Sequence, residues 1–240
     1  MSIKAIVFDM DDTLFREIDY IFSGYKAVDK WLVENFQIHN FYKIATSLFR
    51  KGYRKNTFNK ALEQLGKICN EELIMEMINI YRTHTPTIEL CEDAKWLINH
   101  LIDSVKLGVI SDGYLSAQEK KVEALKLKGK FHSIVLSDLY GRQNWKPSPL
   151  PYVIVSQELN CLHKECLYIG DNVNKDFITA KELGWKTIYI RRNDGIYFES
   201  PVKPEYSAHY QIQNLKELYW IEDCKHLFID SEDYRRVVMK

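Results

Sequence analysis

Three carboxylates and a threonine crowd one short segment, Asp9-Met10-Asp11-Asp12-Thr13. Like charges held this close raise one another's pKa, so a cation or a shared proton is expected among them. Helix capping would use one such residue, not four. A second cluster, Ser111-Asp112-Gly113, offers a hydroxyl and adjacent backbone N–H groups that could hold phosphate oxygens, although the same residues make an ordinary turn. A third, Trp145-Lys146-Pro147-Ser148-Pro149, puts a lysine just ahead of a helix start, where anions are favoured. Read alone, it is equally an exposed lysine before a proline-started helix. In the fourth, Gly170-Asp171-Asn172-Val173-Asn174-Lys175-Asp176, two aspartates five residues apart suit a hard cation and the groups around it. A glycine turn capped by Asn174 would explain that stretch as well. Together the four offer crowded carboxylates that call for a cation and groups that could hold an anion such as phosphate.

The elements between these clusters have to bring them together. Short apolar runs alternate with helical patterns, the sign of a parallel sheet with crossover helices. Strands are expected at Ile3–Phe8, Lys106–Ile110, His132–Ser137, Glu165–Ile169 and Lys186–Ile190, with a last one at Tyr206–Ile212. Their near-continuous Val, Ile, Leu and Tyr content fits strands covered on both faces. Helices are expected at Glu92–Ile102, at Ser116–Leu127 after the Gly113 turn, after an N-cap Ser148 and N1 Pro149, and at Lys175–Leu183 ending on Gly184, with a short one at Leu215–Ile221. Each polar cluster then follows its own strand. Ligands of open parallel sheets bind beyond those carboxyl ends, and four such clusters in succession are hard to credit to chance.

The segment 16–89 shows no strand pattern and reads as helices Gly24–Asn35, Tyr42–Lys51, Thr57–Leu65 and Glu71–Tyr81. It is too long for a simple crossover, so it reads as an inserted helical domain with Trp31, Leu48, Phe58, Leu62 and Met77 as core candidates. The expected division is an α/β catalytic core of 1–15 and 90–221, a helical cap of 16–89, and a tail of 222–240 with no assigned role.

Formal net charge is zero, which gives no electrostatic footprint for a nucleic acid polymer and no polybasic membrane patch. No apolar run reaches the length of a membrane span, and the N-terminal one is too short for a signal-peptide core. The five cysteines are scattered and odd in number, which suits free thiols in a reducing cytoplasm. Cys161, His163 and Cys166 lie close in sequence, but Cys166 opens a buried strand, so core and surface neighbours explain them better than a metal site.

The four clusters together resemble the haloacid dehalogenase-like superfamily of hydrolases. The resemblance runs over about residues 1–220 and rests on D-x-D-x-T at Asp9, Asp11 and Thr13, the strand-end Ser111, Lys146, and G-D-x-x-x-x-D at Gly170, Asp171 and Asp176. It implies a doubly wound, Rossmann-like core with a helical cap, and an aspartyl-phosphate on Asp9. Asp11 would protonate the leaving oxygen and then take a proton from water. Mg²⁺ would be held by the carboxylates of Asp9 and Asp171 and the backbone carbonyl of Asp11. Ser111 and Lys146 would bind the phosphoryl oxygens, with backbone N–H groups of Asp112 and Gly113. Thr13 would brace the loop, and Asp176 would orient water or Lys146.

Asp11 separates chemistries within the family. Dehalogenases need no acid there and use no Mg²⁺, so its presence points to phosphate esters. The implied function is hydrolysis of a small phosphate monoester such as a sugar phosphate, nucleotide or phosphoglycolate. A sugar phosphomutase shares all four motifs. A catalytically silent phosphate-binding protein would have lost a nucleophile or a metal ligand, and this chain keeps both. Substrate choice is expected from the cap, where Arg50-Lys51-Gly52-Tyr53-Arg54-Lys55 is either an anion-greeting stretch or a solvated helix end.

Overall fold

The computed structural model describes residues 2–193, 195, 196 and 203–229. In chain order the elements are β1 (Ala5–Phe8), α1 (Glu17–Phe36), α2 (Phe41–Arg50), α3 (Thr57–Gln64), α4 (Glu71–Thr83), α5 (Glu92–His100), β2 (Lys106–Ser111), α6 (Leu115–Ala124), β3 (Ser133–Leu136), α7 (Leu150–Glu158), β4 (Cys166–Gly170), α8 (Ile178–Glu182), β5 (Lys186–Ile190) and β6 (Tyr210–Ile212). The chain divides into two compact units: Met1–Arg16, Leu90–Gly113 and Lys126–Lys240 in one, Glu17–Glu89 and Tyr114–Leu125 in the other.

The first unit is built on a six-stranded sheet of order β3-β2-β1-β4-β5-β6, and every pair in it is parallel. Its α/β, doubly wound architecture is the one the strand pattern predicts. The chain runs outward from β1 through β2 and β3, then returns to β1's other side for β4. That reversal makes a crevice at the carboxyl ends of β1 and β4, the usual ligand position in open sheets. Register fixes it: Phe8 sits opposite Val109 of β2 and Ile169 of β4. β1 and β4 are buried along their whole length, as central strands covered on both faces must be. One face packs Val7, Ile110, Val135 and Tyr168 against Tyr152, Val155, Phe177 and Trp185 from α7, α8 and their flanks.

Several element ends differ from the sequence expectation. α7 starts at Leu150, with Pro149 at the cap position and no side-chain cap bond. Ser148 Oγ still accepts from Leu150 N, at 3.4 Å. Residues 204–206 form a 3₁₀ turn, so the last strand keeps only Tyr210–Ile212. The expected helix at 215–221 is a 3₁₀ helix, Leu215–Trp220. α8 is shorter than expected, but it does stop at Gly184. There φ is +84°, and Trp185 N donates to Ala180 O at 2.9 Å to close the end. Of the C-terminal segment, Glu222–Leu227 is 3₁₀ with Cys224 and Leu227 buried, and Phe228 bridges to Leu101; residues 230–240 lie outside the described residues.

In the second unit, α1 begins at Glu17, a full two turns before Gly24. Glycine reads as a helix start in sequence because it costs about 1 kcal/mol in a helix interior. Here it is kept for packing, since a Cβ on Gly24 would collide with the Tyr81 ring of α4. Leu48, Leu62 and Met77 are buried as expected, whereas Trp31 is only half-buried and packs edge-on to Phe36, ring centroids 5.2 Å apart. Tyr25, Phe41, Phe58 and Tyr81 form the aromatic centre, with edge-to-face contacts at 5.6–6.3 Å.

Candidate active site

Asp9 is the first residue after β1, and its N–H still donates to Ile169 O of β4 at 2.8 Å. This bond carries the strand geometry one residue further and fixes where the Asp9 side chain leaves the sheet. Asp171 is the first residue after β4, the neighbouring strand. A carboxylate oxygen from each of Asp9, Asp171 and Asp176 lies within 4.8 Å of the other two, and all three residues are buried. Among the described residues this is the group of acids able to share one cation.

Lys146 threads into the cluster. Its Nζ donates to Asp9 Oδ1 at 2.6 Å and to the Tyr168 hydroxyl at 2.9 Å, and lies 2.9 Å from Asp176 Oδ1. Tyr168 OH donates in turn to Asp176 Oδ1 at 3.3 Å. The other Asp176 oxygen accepts from Asn172 N at 2.9 Å, and its backbone carbonyl accepts from Tyr152 OH at 2.9 Å. Asp176 therefore ties the loop after β4 to α7 while holding Lys146. Gly170 makes room for it, because a Cβ there would run into the Asp176 carboxyl.

The charges do not cancel. Burial pushes the Asp9 carboxyl up, but the Lys146 and Lys175 ammonium groups outweigh it and hold Asp9 below the ordinary carboxylate range. Burial would lower Lys146, yet Asp176 and Asp9 carry it well above an ordinary lysine. Asp171 is driven well above its ordinary value by burial first, then by the charges of Asp9, Asp176 and Asp12. Asp176 is raised as well: burial lifts it, Lys146 pulls it back, and Asp9 lifts it again. The cluster is thus one carboxylate kept ionised by two ammonium groups beside another, Asp171, whose burial and acidic neighbours outweigh the pull of Lys175. Three buried oxygen donors with surplus negative charge fit a hard divalent cation.

The remaining residues singled out in the sequence lie at or just beyond the ends of β1 and β2. Ser111 ends β2 and is 1% exposed. Gly113 follows with φ +129°. The Asp112 side chain does more than the backbone donation expected of it. Oδ1 accepts from Ser137 Oγ at 2.7 Å and from Lys146 N at 3.1 Å, and Oδ2 pairs with Lys175 Nζ at 3.3 Å. Asp11 is half-buried, bridges to Phe15 in the turn, and stands outside the three-carboxylate group. Thr13 is fully buried, its carbonyl accepting from Arg192 Nη2 at 2.6 Å.

Sequence reasoning missed Tyr168, Lys175, Ser137 and Arg192. Tyr168 passed as one more apolar strand residue, although a tyrosine two residues before Gly170-Asp171 points to the same side of the sheet as that glycine. Lys175 stands next to Asp176 inside the fourth cluster and could have been marked as a second ammonium. Ser137 and Arg192 carry no local signal.

Comparison with known proteins places this geometry. Residues 6–190 match the family described as haloacid dehalogenase-like hydrolase. A glyceraldehyde 3-phosphate phosphatase of Methanocaldococcus jannaschii is 28% identical over 226 residues, 90% of this chain and 95% of that protein. The human N-acylneuraminate-9-phosphatase is 23% identical over 234 residues, 90% and 92% of the two chains. Among solved structures, a magnesium-bound hydrolase of Bacillus subtilis has a TM-score of 0.64 at 20% identity, covering 92% of this chain and 99% of its own. At this identity the likeness speaks for the fold.

Proposed function

This chain belongs to the haloacid dehalogenase-like hydrolases, and from that premise we propose that it is a phosphatase acting on a small phosphate monoester with Mg²⁺, through an aspartyl-phosphate on Asp9. One observation carries the reading: the Asp9 carboxyl is buried at the crevice of the sheet, 2.6 Å from Lys146 Nζ, and kept ionised by its two lysines. A carboxylate in that state is a nucleophile whose charge is already balanced when an anionic phosphoryl group approaches.

Asp9 attacks phosphorus in line, and the bond to the leaving oxygen breaks as the acyl phosphate forms. Asp11, outside the carboxylate group and half-buried, gives its proton to the leaving oxygen and later removes one from the water that splits the intermediate. Lys146 and Ser111, with the N–H groups of Asp112 and Gly113, receive the phosphoryl oxygens. Asp176 keeps Lys146 in place from behind, at 2.9 Å. Asp9 and Asp171 would hold Mg²⁺, together with the Asp11 carbonyl. When bound, the ion supplies charge neutralisation between nucleophile and phosphate and stabilises the charge of the transition state. The names of the relatives, phosphatases of glyceraldehyde 3-phosphate and of N-acylneuraminate 9-phosphate, favour a phosphorylated carbohydrate as substrate class. Five free thiols support a reducing, cytoplasmic setting, and no described helix is long and apolar enough to cross a membrane.

The test is release of p-nitrophenol from p-nitrophenyl phosphate, with Mg²⁺, with EDTA, and in Asp9→Asn. Activity should need both the ion and Asp9, with a loss of at least ~10³-fold in the variant. Near-normal turnover by Asp9→Asn would sink the covalent mechanism. If no sugar phosphate of a panel releases phosphate, product analysis separates the remaining readings: an isomeric sugar phosphate marks a phosphomutase, and no product at all a silent phosphate-binding protein.

A further inference from the structure

The loop that carries Asp9 and Asp11 is gripped from a place no motif marks. Arg192, two residues after β5, donates through Nη2 to Thr13 O at 2.6 Å and to Asp93 Oδ1 at 3.1 Å, and through Nη1 to Asp93 Oδ2 at 3.0 Å. Asp93 is 4% exposed, in the first turn of α5, and its Oδ2 also accepts from Leu215 N at 2.8 Å. Four residues after Arg192, Ile196 N donates to Asp12 Oδ2 at 2.7 Å. Asp12 and Thr13, which directly follow Asp11, are therefore both held by the segment beyond β5.

Two further observations single this junction out. Asp12 has φ +49°, a left-handed conformation that a non-glycine residue keeps only where its surroundings enforce it. The two buried side-chain polar atoms without a partner among the described residues, Thr13 Oγ1 and Arg192 Nε, both belong to it. Unpartnered buried polar atoms are costly and call for a reason. A buried ion pair is also no sure gain over well-packed apolar side chains. What the planar, bidentate guanidinium does supply is a fixed geometry.

We infer that Arg192, locked by Asp93, is a positioning residue that aims the Asp11 carboxyl at the leaving-group oxygen. The inference deepens the phosphatase reading and rests on it. Arg192 touches no reacting atom; it acts through the carbonyl of Thr13 and the turn before it. Its loss should therefore weaken proton delivery far more than phosphate binding.

Leaving-group dependence reads that difference. An ester with a poor leaving group needs the proton, and one with a good leaving group needs it little. Phenyl phosphate and p-nitrophenyl phosphate would be compared with Mg²⁺ in wild type, Asp11→Asn, Arg192→Met, Arg192→Lys and Asp93→Asn, each well below its own melting temperature. Asp11→Asn sets the signature of a missing acid. Arg192→Met should reproduce it, losing at least ~10-fold more kcat on phenyl phosphate than on p-nitrophenyl phosphate with KM within about threefold. Arg192→Lys should fall between, since lysine keeps the charge and loses the fork. If Arg192→Met does not fold, Arg192→Lys and Asp93→Asn carry the comparison. Equal losses on both esters, beside a selective loss in Asp11→Asn, would overturn the positioning role and leave the phosphatase reading standing. An unselective Asp11→Asn would remove Asp11 as the acid and this inference with it, without touching the phosphatase reading, which phosphate release from the sugar-phosphate panel decides.

Discussion

Replacing Asp171 by asparagine should stabilise the metal-free protein while abolishing its response to Mg²⁺. The substitution keeps the shape and removes one charge from a cluster whose three carboxylates lie within 4.8 Å of one another. At 4.8 Å, two unit charges in an effective dielectric of 20 repel by about 3 kcal/mol. Asp171 faces two such neighbours, and Lys146 bridges both, so we count one repulsion as uncompensated and expect a gain of roughly 2–3 kcal/mol in EDTA at pH 8. For a chain of this size that is about 5–10 °C in Tm. The pH dependence has a definite sign. Burial and the neighbouring carboxylates raise the folded-state pKa of Asp171 above its unfolded value. Between the two values the folded chain keeps a proton that the unfolded chain has released, so this group costs more stability as pH rises. The gap between variant and wild type should widen upward from the ordinary carboxylate range, near pH 4, and close below it. Melting curves in EDTA from pH 4 to 8, repeated with excess Mg²⁺, would show it. A variant no more stable than wild type in EDTA at pH 8, or one with an equal Mg²⁺-induced shift, would refute the reasoning.

Three other substitutions probe separate parts of the structure. Lys146→Met should destabilise the fold by ~3–5 kcal/mol in urea titrations, because Asp9 and Asp176 lose the ammonium that bridges them; a change under 1 kcal/mol would mean that the bridge is not formed in solution. Gly170→Ala should lower kcat by about 10²-fold, since the added methyl displaces Asp176 and with it Lys146; unchanged kinetics would show that the loop yields freely. Gly24→Ala should destabilise by ~1–3 kcal/mol despite alanine's better helix propensity, because its Cβ meets the Tyr81 ring; a variant more stable than wild type would show that the aromatic centre repacks at little cost.

The parts of this fold that were legible in sequence are those with local causes. Apolar runs ending in acids mark β1 and β4, because a central strand is buried throughout and its first polar residue must emerge at the sheet's edge. Gly184 marks the end of α8 through its backbone freedom alone. Asp9, Lys146, Asp171 and Asp176 could be picked out because each belongs to a short pattern, and the fold gathers all four. What escaped depends on partners distant in sequence. Gly24 lies inside α1 because of Tyr81, and Asp112 acts through its side chain because of Ser137, Lys146 and Lys175. Arg192 and Asp93 are separated by 99 residues, and neither has a neighbour that hints at the other. Proline at 149 misplaced a boundary by one residue, since proline suits the cap position nearly as well as the first helical turn.

The strand order also bears on how the chain comes into being. β1 precedes the other five strands of the sheet in chain order, yet it lies at the middle of the sheet, with partners that begin at Lys106 and Cys166. A growing chain therefore carries this apolar strand unpaired on one edge until Cys166–Gly170 has been made. Such an edge is the kind of surface that sticks to other chains or calls on chaperones. The acids that follow it, Asp9 to Asp12, put a run of charge at the end of that exposed strand, where like-charged copies repel. The carboxylates that follow β1 would then have an earlier task, keeping nascent copies of the chain apart until β4 arrives.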